Sequence, residues 1–130
     1  MGTQITDSIS KAENALLSLD IHAQHVRQVA MRILGEHAAS LPELLAIHVE
    51  ATDNRQRVGF QPRTVQDARQ WAAALGVELT VTVVDAVPEG WRAIASAAEW
   101  LVDGVQVRIG SYQSYSPEQW AERSAAAVAA

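Results

Sequence analysis

An apolar stripe with alternating spacings of three and four residues runs through the first third of the chain. This spacing places its members on one side of an α-helix: Ile9, Ala12, Leu16, Leu19, Ala23, Val26, Ala30 and Ile33. Residues 1–9 are polar and predict a flexible lead-in. Ser10 to Glu13 have the form of a capping box, so the predicted helix begins there. It should end before Leu41-Pro42, since the residue before proline avoids helical geometry.

The pattern leaves the continuity of this helix open. Asp20 could cap a second helix after a break near Ser18. A continuous helix would be longer than a sheet of this size needs, at about 1.5 Å per residue. We therefore expect part of it to serve for contact between subunits, although it could also lie across the sheet as a core helix.

After Pro42 the pattern changes to the alternation that is typical of half-buried strands. Alternation over Leu45–Ala51 and Val77–Val83 predicts two strands, with a short returning strand over residues 57–61. A helix between them is predicted from Thr64, a favourable N-cap, to Gly76, a favourable C-terminal stop.

The last third of the chain predicts a β-hairpin and a helix. Asp103-Gly104 suits a type I′ turn, whose two central residues both need positive φ. Such a turn fixes the register of its strands: Val102–Val105, Trp100–Val107 and Ala98–Ile109 on an apolar face, and Leu101–Gln106 and Glu99–Arg108 on a polar face. Ser116 to Gln119 form a second capping box, which begins a final helix.

Together these elements predict one α+β domain over residues 10–130. It has a long N-terminal helix, an antiparallel sheet of four to five strands with helices mainly on one face, and a C-terminal helix. The length of 130 residues and the 48% apolar content suit a single globular domain with its own core.

Composition narrows the classes of function. A formal net charge of −5 argues against a protein that binds mainly phosphate backbones. The absence of cysteine excludes disulfides, thiolate catalysis and cysteine-based zinc sites. There is no run of about 18 apolar residues and no secretory signal pattern, so we expect a cytoplasmic protein away from membranes. Nucleophile-elbow, dinucleotide-binding and P-loop motifs are also absent. We therefore predict no catalytic residue and no cofactor.

One group of polar residues is a candidate ligand site on the exposed sheet face. A histidine, carboxylates, an arginine and hydroxyls on one face could bind an anion or perform acid–base chemistry. The residues are His48, Glu50, Thr80, Glu99 and Arg108, with Thr82 and Tyr112 near them. The simpler interpretation is an ordinary solvated face, which antiparallel sheets often have.

Three other groups have simpler structural explanations. His22 and His25 could share a metal, but no third ligand is spaced near them, and we predict no metal site. A basic segment could contact nucleic acid, although the acidity of the chain favours a solubilising role: Arg55, Arg57, Arg63 and Arg69. The tryptophans are expected mainly in the core, although Trp91 or Trp120 could instead lie at an interface with a partner.

Residues 26–112 contain stretches that resemble a loose group of small actinobacterial proteins of unknown function, some found near prophage-like genes. These stretches are Gly35-Glu36-His37-Ala38-Ala39, Leu41-Pro42, Trp71-Ala72-Ala73-Ala74-Leu75-Gly76 and Asp103-Gly104-Val105-Gln106-Val107. The resemblance implies a bacterial accessory protein and assigns no role to any residue.

We therefore predict a bacterial accessory or regulatory protein without catalytic activity, which acts through self-association and protein–protein contacts. The expected assembly is a homodimer formed by Leu16, Leu19, Ala23 and Val26 of the first helix. The alternatives are a small-molecule-binding domain or small enzyme that uses the polar sheet face around His48, and a weak nucleic-acid binder that uses the Arg55–Arg69 region.

Overall fold

A computed structural model of the chain describes residues 2–129, with side chains described for residues 8–125. The described part contains three helices and five strands. In chain order they are α1 (Gly2–His37), β1 (Leu44–Ala51), β2 (Gln56–Pro62), α2 (Val65–Leu75), β3 (Thr80–Asp85), β4 (Arg92–Val102), β5 (Val105–Tyr115) and α3 (Pro117–Ala129). The α+β class, the long N-terminal helix and the C-terminal helix are as predicted.

The five strands form one sheet in the order β1-β2-β5-β4-β3. Strands β1 and β2 form an antiparallel hairpin, and β3, β4 and β5 form an antiparallel meander. The two units meet at β2 and β5, which run parallel. The sheet is therefore mixed rather than antiparallel throughout. The parallel pair joins strands that are separated in sequence by α2, β3 and β4, so no turn signal specifies it.

The Asp103-Gly104 hairpin has the predicted turn and register. Asp103 has φ 49° and Gly104 has φ 80°, the positive values that a type I′ turn requires. The five predicted cross-strand pairs, from Val102–Val105 to Ala98–Ile109, are all formed. On the polar face, Arg108 Nε lies 3.4 Å from Glu99 Oε1.

The core lies between one face of the sheet and the second half of α1 together with α2. Phe60 on β2 stacks on Trp71 of α2, with ring centroids 6.2 Å apart and planes 9° from parallel. The Trp71 Nε1–H donates to the Pro42 carbonyl oxygen at 2.9 Å, so the buried indole has its polar atom satisfied. The apolar members of this core are Val26, Val29, Ala30, Ile33, Val58, Phe60, Ala68, Trp71, Val105, Val107 and Ile109.

The predicted end signals of α2 and α3 are all used. The Thr64 hydroxyl accepts from the Asp67 amide at 3.1 Å, and Gly76 ends α2 in the left-handed conformation. At the start of α3, the Gln119 amide donates to the Ser116 hydroxyl and the Ser116 amide donates to the Gln119 side chain, a reciprocal capping box.

Helix α1 differs from the prediction at its start. It begins at Gly2 rather than at Ser10, so the Ser10–Glu13 capping box lies inside it, and it continues without a break through Asp20. Ser18 does not interrupt the helix, because its hydroxyl donates away from the axis to Asp53 Oδ1 at 2.9 Å. The helix ends before Leu41-Pro42, as predicted.

We predict opposite effects for alanine at two glycines. Gly104→Ala should lower the free energy of unfolding by about 1–2 kcal/mol, because a Cβ is disfavoured at its positive φ. Gly35→Ala, inside α1 with nothing within 4 Å of the new Cβ, should raise it by about 0.5–1 kcal/mol. Urea unfolding at one fixed protein concentration measures the free energy of unfolding of both variants. Equal changes in this free energy for the two variants would contradict the turn assignment.

Candidate functional site

Helix α1 is fastened to the sheet at the end where the β1–β2 and β4–β5 turns lie. His22 Nδ1 accepts from Gln56 Nε2 at 2.8 Å, and His22 Nε2 lies 3.4 Å from Asp53 Oδ1. His25 Nε2 donates to the Asp103 carbonyl oxygen at 2.7 Å. His22 and His25 therefore hold the two turns to the helix. Within the described residues, no group of three or more His, Asp or Glu side chains could hold a metal.

The part of α1 that precedes these contacts projects beyond the sheet. Large apolar side chains between residues 8 and 21 are exposed, with Ile9 at 53%, Leu16 at 63%, Leu17 at 59% and Ile21 at 64%. Further along the same helix Val26 is fully buried in the core. Among the described residues, no helix is long and apolar enough to cross a membrane. An apolar helical segment that nothing covers is the usual mark of a contact surface.

The four residues predicted to mediate self-association thus divide into two groups. Leu16 and Leu19 are exposed on the projecting part of α1, and Ala23 is half-buried where the helix reaches the sheet. Val26 is fully buried in the core of the chain itself, so it is not available for contact with another chain. The prediction was wrong for Val26 because a helical repeat looks the same whether a sheet or another chain covers it.

The sheet face opposite the helices is concave. A row of paired residues crosses it from β1 to β4, in the order His48, Gly59, Arg108 and Glu99. Because Gly59 has no side chain, His48 and Arg108 face each other across it, about 10 Å apart at the 4.8 Å spacing of strands. Ala95, Ala97 and Gly110 continue this low floor, and Thr80 and Thr82 line its far side. The concavity holds about 350 Å³.

Arg108 is the central polar group of this surface. A Cβ built on Gly110 would lie 3.2 Å from the Arg108 Cζ, so the guanidinium lies directly over that glycine. Its Nε faces Glu99, and Glu99 also accepts from Gln106 Nε2 at 3.2 Å. On the opposite wall, His48 Nε2 lies 3.2 Å from the Gln61 side-chain oxygen. A donor group and an imidazole therefore face one shallow space.

A second lobe of about 300 Å³ adjoins the first along β1 and β2. Glu50 lies here, with its Oε2 3.8 Å from Arg57 Nη1. Each of the two carboxylates on this face is thus paired with a guanidinium group, Glu50 with Arg57 and Glu99 with Arg108, so the surface is polar but close to neutral. Such a surface suits a small ligand better than a polyanion.

Three of the five predicted ligand-site residues line the same concavity, and the other two lie outside it. His48, Thr80 and Arg108 line the concavity, Glu50 lies in the adjoining lobe, and Glu99 lies behind Arg108 as its ion-pair partner. The residues that form the floor were missed, above all Gly59 and Gly110. Glycine inside a strand marks a site of close approach, so these two positions carried a usable signal.

The arginines of the Arg55–Arg69 region do not form one basic patch. Arg55 precedes β2 and Arg63 follows it, about 26 Å apart at 3.3 Å per residue of strand. Arg57, between them, is paired with Glu50. Arg55 and Arg63 thus lie near opposite ends of β2, and a nucleic acid would have to extend along this strand to contact both.

No protein-family profile, curated protein or solved structure matches the chain.

We predict that Arg32 sets the titration of Asp103, the residue through which α1 is fastened to the β4–β5 turn. A hydrogen bond from the Arg32 guanidinium, aided by its charge, lowers the pKa of the Asp103 carboxyl below its usual value of about 3.9. In Arg32→Gln this pKa should rise toward that value in a carbon-detected NMR titration.

The lowered pKa of Asp103 makes the stability of the fold depend on pH. Because the folded pKa lies below the unfolded one, the contact stabilises the fold above the unfolded pKa and is lost as pH falls through the folded pKa. Arg63→Gln is the matched control, since Arg63 lies outside the contacts of Asp103. An unchanged Asp103 pKa in Arg32→Gln would contradict the contact.

Proposed function

We propose that this chain is a bacterial accessory or regulatory protein that acts by self-association, as a homodimer formed through α1, without catalysis. The observation that carries the proposal is the difference between the two halves of one apolar stripe. Ala30 and Ile33 are buried against the sheet, whereas Ile9 and Leu16 have the same spacing but are exposed. The bacterial context rests on the resemblance of short sequence stretches to small actinobacterial proteins.

The projecting half of α1 also needs a source of stability. Helical segments in proteins are held mainly by packing of their apolar side, and isolated segments of this length are marginal in water. The sheet supplies that packing only from about His22 onward. A partner that covers Leu16 and its neighbours would supply the rest, and a second copy of the chain presents the same apolar surface.

The proposal predicts that a charge in the exposed stripe prevents association. Leu16→Glu should turn the dimer into a monomer, because dimerisation would bury an unpaired carboxylate. Light scattering after size-exclusion chromatography, over a hundredfold range of concentration, measures the mass. Far-UV circular dichroism checks that the domain remains folded.

Asn14→Glu is the matched control, since it places the same charge on an exposed part of the same helix but outside the stripe. This variant should remain a dimer. A wild-type chain that is monomeric at every concentration would end the proposal. So would equal masses for Leu16→Glu and wild type.

A second candidate function is favoured by the concave face. Its volume of about 350 Å³ falls in the lower part of the range of ligand sites. The Arg108 guanidinium over Gly110 offers donors to a small carboxylate, and the hydroxyls of Thr80 and Thr82 lie across from it. We propose this face as a site for a small organic acid, secondary to self-association.

Succinate and acetate are suitable probes for this site. Succinate should shift the backbone amide signals of Gly59 and Gly110 in a saturable way, and Arg108→Gln should reduce the affinity about tenfold, the loss expected for one charged hydrogen bond. Arg69→Gln, an exposed arginine on α2, is the control. Shifts that are absent, or that are the same in Arg108→Gln as in wild type, would remove this second function.

A further inference from the structure

Helix α1 carries a second row of residues, which shares Ile9 and Leu16 with the apolar stripe and then runs beside that stripe along the helix. Its spacings of three, four and seven residues keep it on one side of the helix. The row contains Ile9, Glu13, Leu16, Asp20, Arg27, Met31 and Leu34. It joins the exposed end of α1 to one flank of the anchored half, where Met31 is 60% exposed and Leu34 is half-buried against the core.

This row is arranged symmetrically about the peptide bond between Ala23 and Gln24. Asp20 and Arg27 are equally far from that point in opposite directions, and so are Leu16 and Met31. Ile9 stands in the same relation to Ala38, the residue after the helix. Two copies of α1 placed antiparallel about this point would therefore bring Asp20 beside the partner's Arg27 and Leu16 beside the partner's Met31, whereas Glu13 would lie opposite the partner's Leu34.

We propose that the dimer, on which this inference rests, is an antiparallel pair of α1 helices with its twofold axis at Ala23–Gln24. Asp20 of each subunit pairs with the partner's Arg27, and Leu16 packs on the partner's Met31. Neither Asp20 nor Arg27 has an ion-pair partner or a side-chain hydrogen bond among the described residues. A parallel pair would instead set Asp20 beside Asp20 and Arg27 beside Arg27, which is unfavourable.

An apolar cleft lies where this register places the end of the partner helix. It has a volume of about 320 Å³ between the end of α1, α2 and β1. Its main apolar lining residues are Leu34, Ala38, Leu41, Leu44, Ile47 and Trp71. Because Ile9 stands opposite the partner's Ala38, its side chain enters the partner's cleft. In the dimer the cleft would therefore be filled, and Ile9 would be buried.

The edge strand β1 supplies further apolar surface. Ile47 and Val49 point to the helix-bearing face of the sheet, yet they are 45% and 58% exposed. On α1, Ala12 and Leu19 continue the sheet-facing row of Val26 and Ile33 at seven-residue spacing. In the antiparallel dimer, with both sheets on the same side of the helix pair, these residues lie above the partner's β1 and cover it.

Charge reversal tests the register. Asp20→Arg and Arg27→Asp should each raise the dimer dissociation constant about tenfold at low salt, since each loses two symmetric pairs and gains like-charge contacts. The double variant restores both pairs with reversed polarity and should return to within about threefold of wild type. Analytical ultracentrifugation at 50 mM and 500 mM salt measures these constants, and the differences should shrink at the higher salt.

Cross-linking gives an independent test, because the chain has no cysteine of its own. Gln24→Cys, next to the axis, should form a disulfide with its own copy under mild oxidation. The double variant Leu16→Cys/Met31→Cys should cross-link two chains, since the two positions within one chain are about 22 Å apart along the helix and cannot join. Leu16→Cys alone should not cross-link.

The outcomes separate this inference from the broader proposal. A wild-type monomer at all concentrations overturns both. A dimer that cross-links through Leu16→Cys alone and is insensitive to the charge reversals overturns the antiparallel register, while self-association stands. Cross-linking through Gln24→Cys, together with rescue by the double charge reversal, supports the antiparallel pair.

Discussion

The packing of the second half of α1 on the helix-bearing face of the sheet is the interaction on which the rest of the structure depends. Val26, Val29 and Ile33 share one core with apolar residues of β2 and β5, the strands at which the β1–β2 hairpin and the meander of β3, β4 and β5 meet. The helix also holds both turns at one end of the sheet, through His22 on one side and His25 with Arg32 on the other. Because both contacts lie at the middle of a 36-residue helix, everything before them must leave the sheet.

Local signals in the sequence were sufficient for the elements and for the register of the hairpin. Asp103-Gly104 specifies a turn within four residues, and the pairing of β4 with β5 follows from it by counting. The parallel pairing of β2 with β5 has no such signal, because the chain between them passes through α2 and two strands. Such a pairing depends on how the apolar faces of the β1–β2 hairpin and the β3–β4–β5 meander pack together after each has formed. The alternation of apolar and polar residues within each strand does not specify it.

The placement of side chains in the candidate ligand site could also be predicted only in part. That Glu99 and Arg108 share the polar face could be predicted, since register determines face. That Arg108 faces His48 across Gly59 could not be predicted, because it depends on the parallel pairing of β2 with β5. The curved, glycine-lined floor is thus a property of tertiary structure, even though each glycine stands visibly in the sequence.

A single heptad-like repeat serves two different neighbours in this chain. Leu19 and Val26 occupy equivalent positions, yet Val26 is covered by its own sheet and Leu19 is not. The repeat alone therefore predicts that these residues are buried, but it does not indicate whether the sheet or another chain covers them. The unlike charges of Asp20 and Arg27 add the missing information, since apolar contacts tolerate many alignments whereas charges on either side of a twofold axis favour one direction. In this helix the apolar residues would provide the affinity for a partner, and two charged residues would determine its orientation.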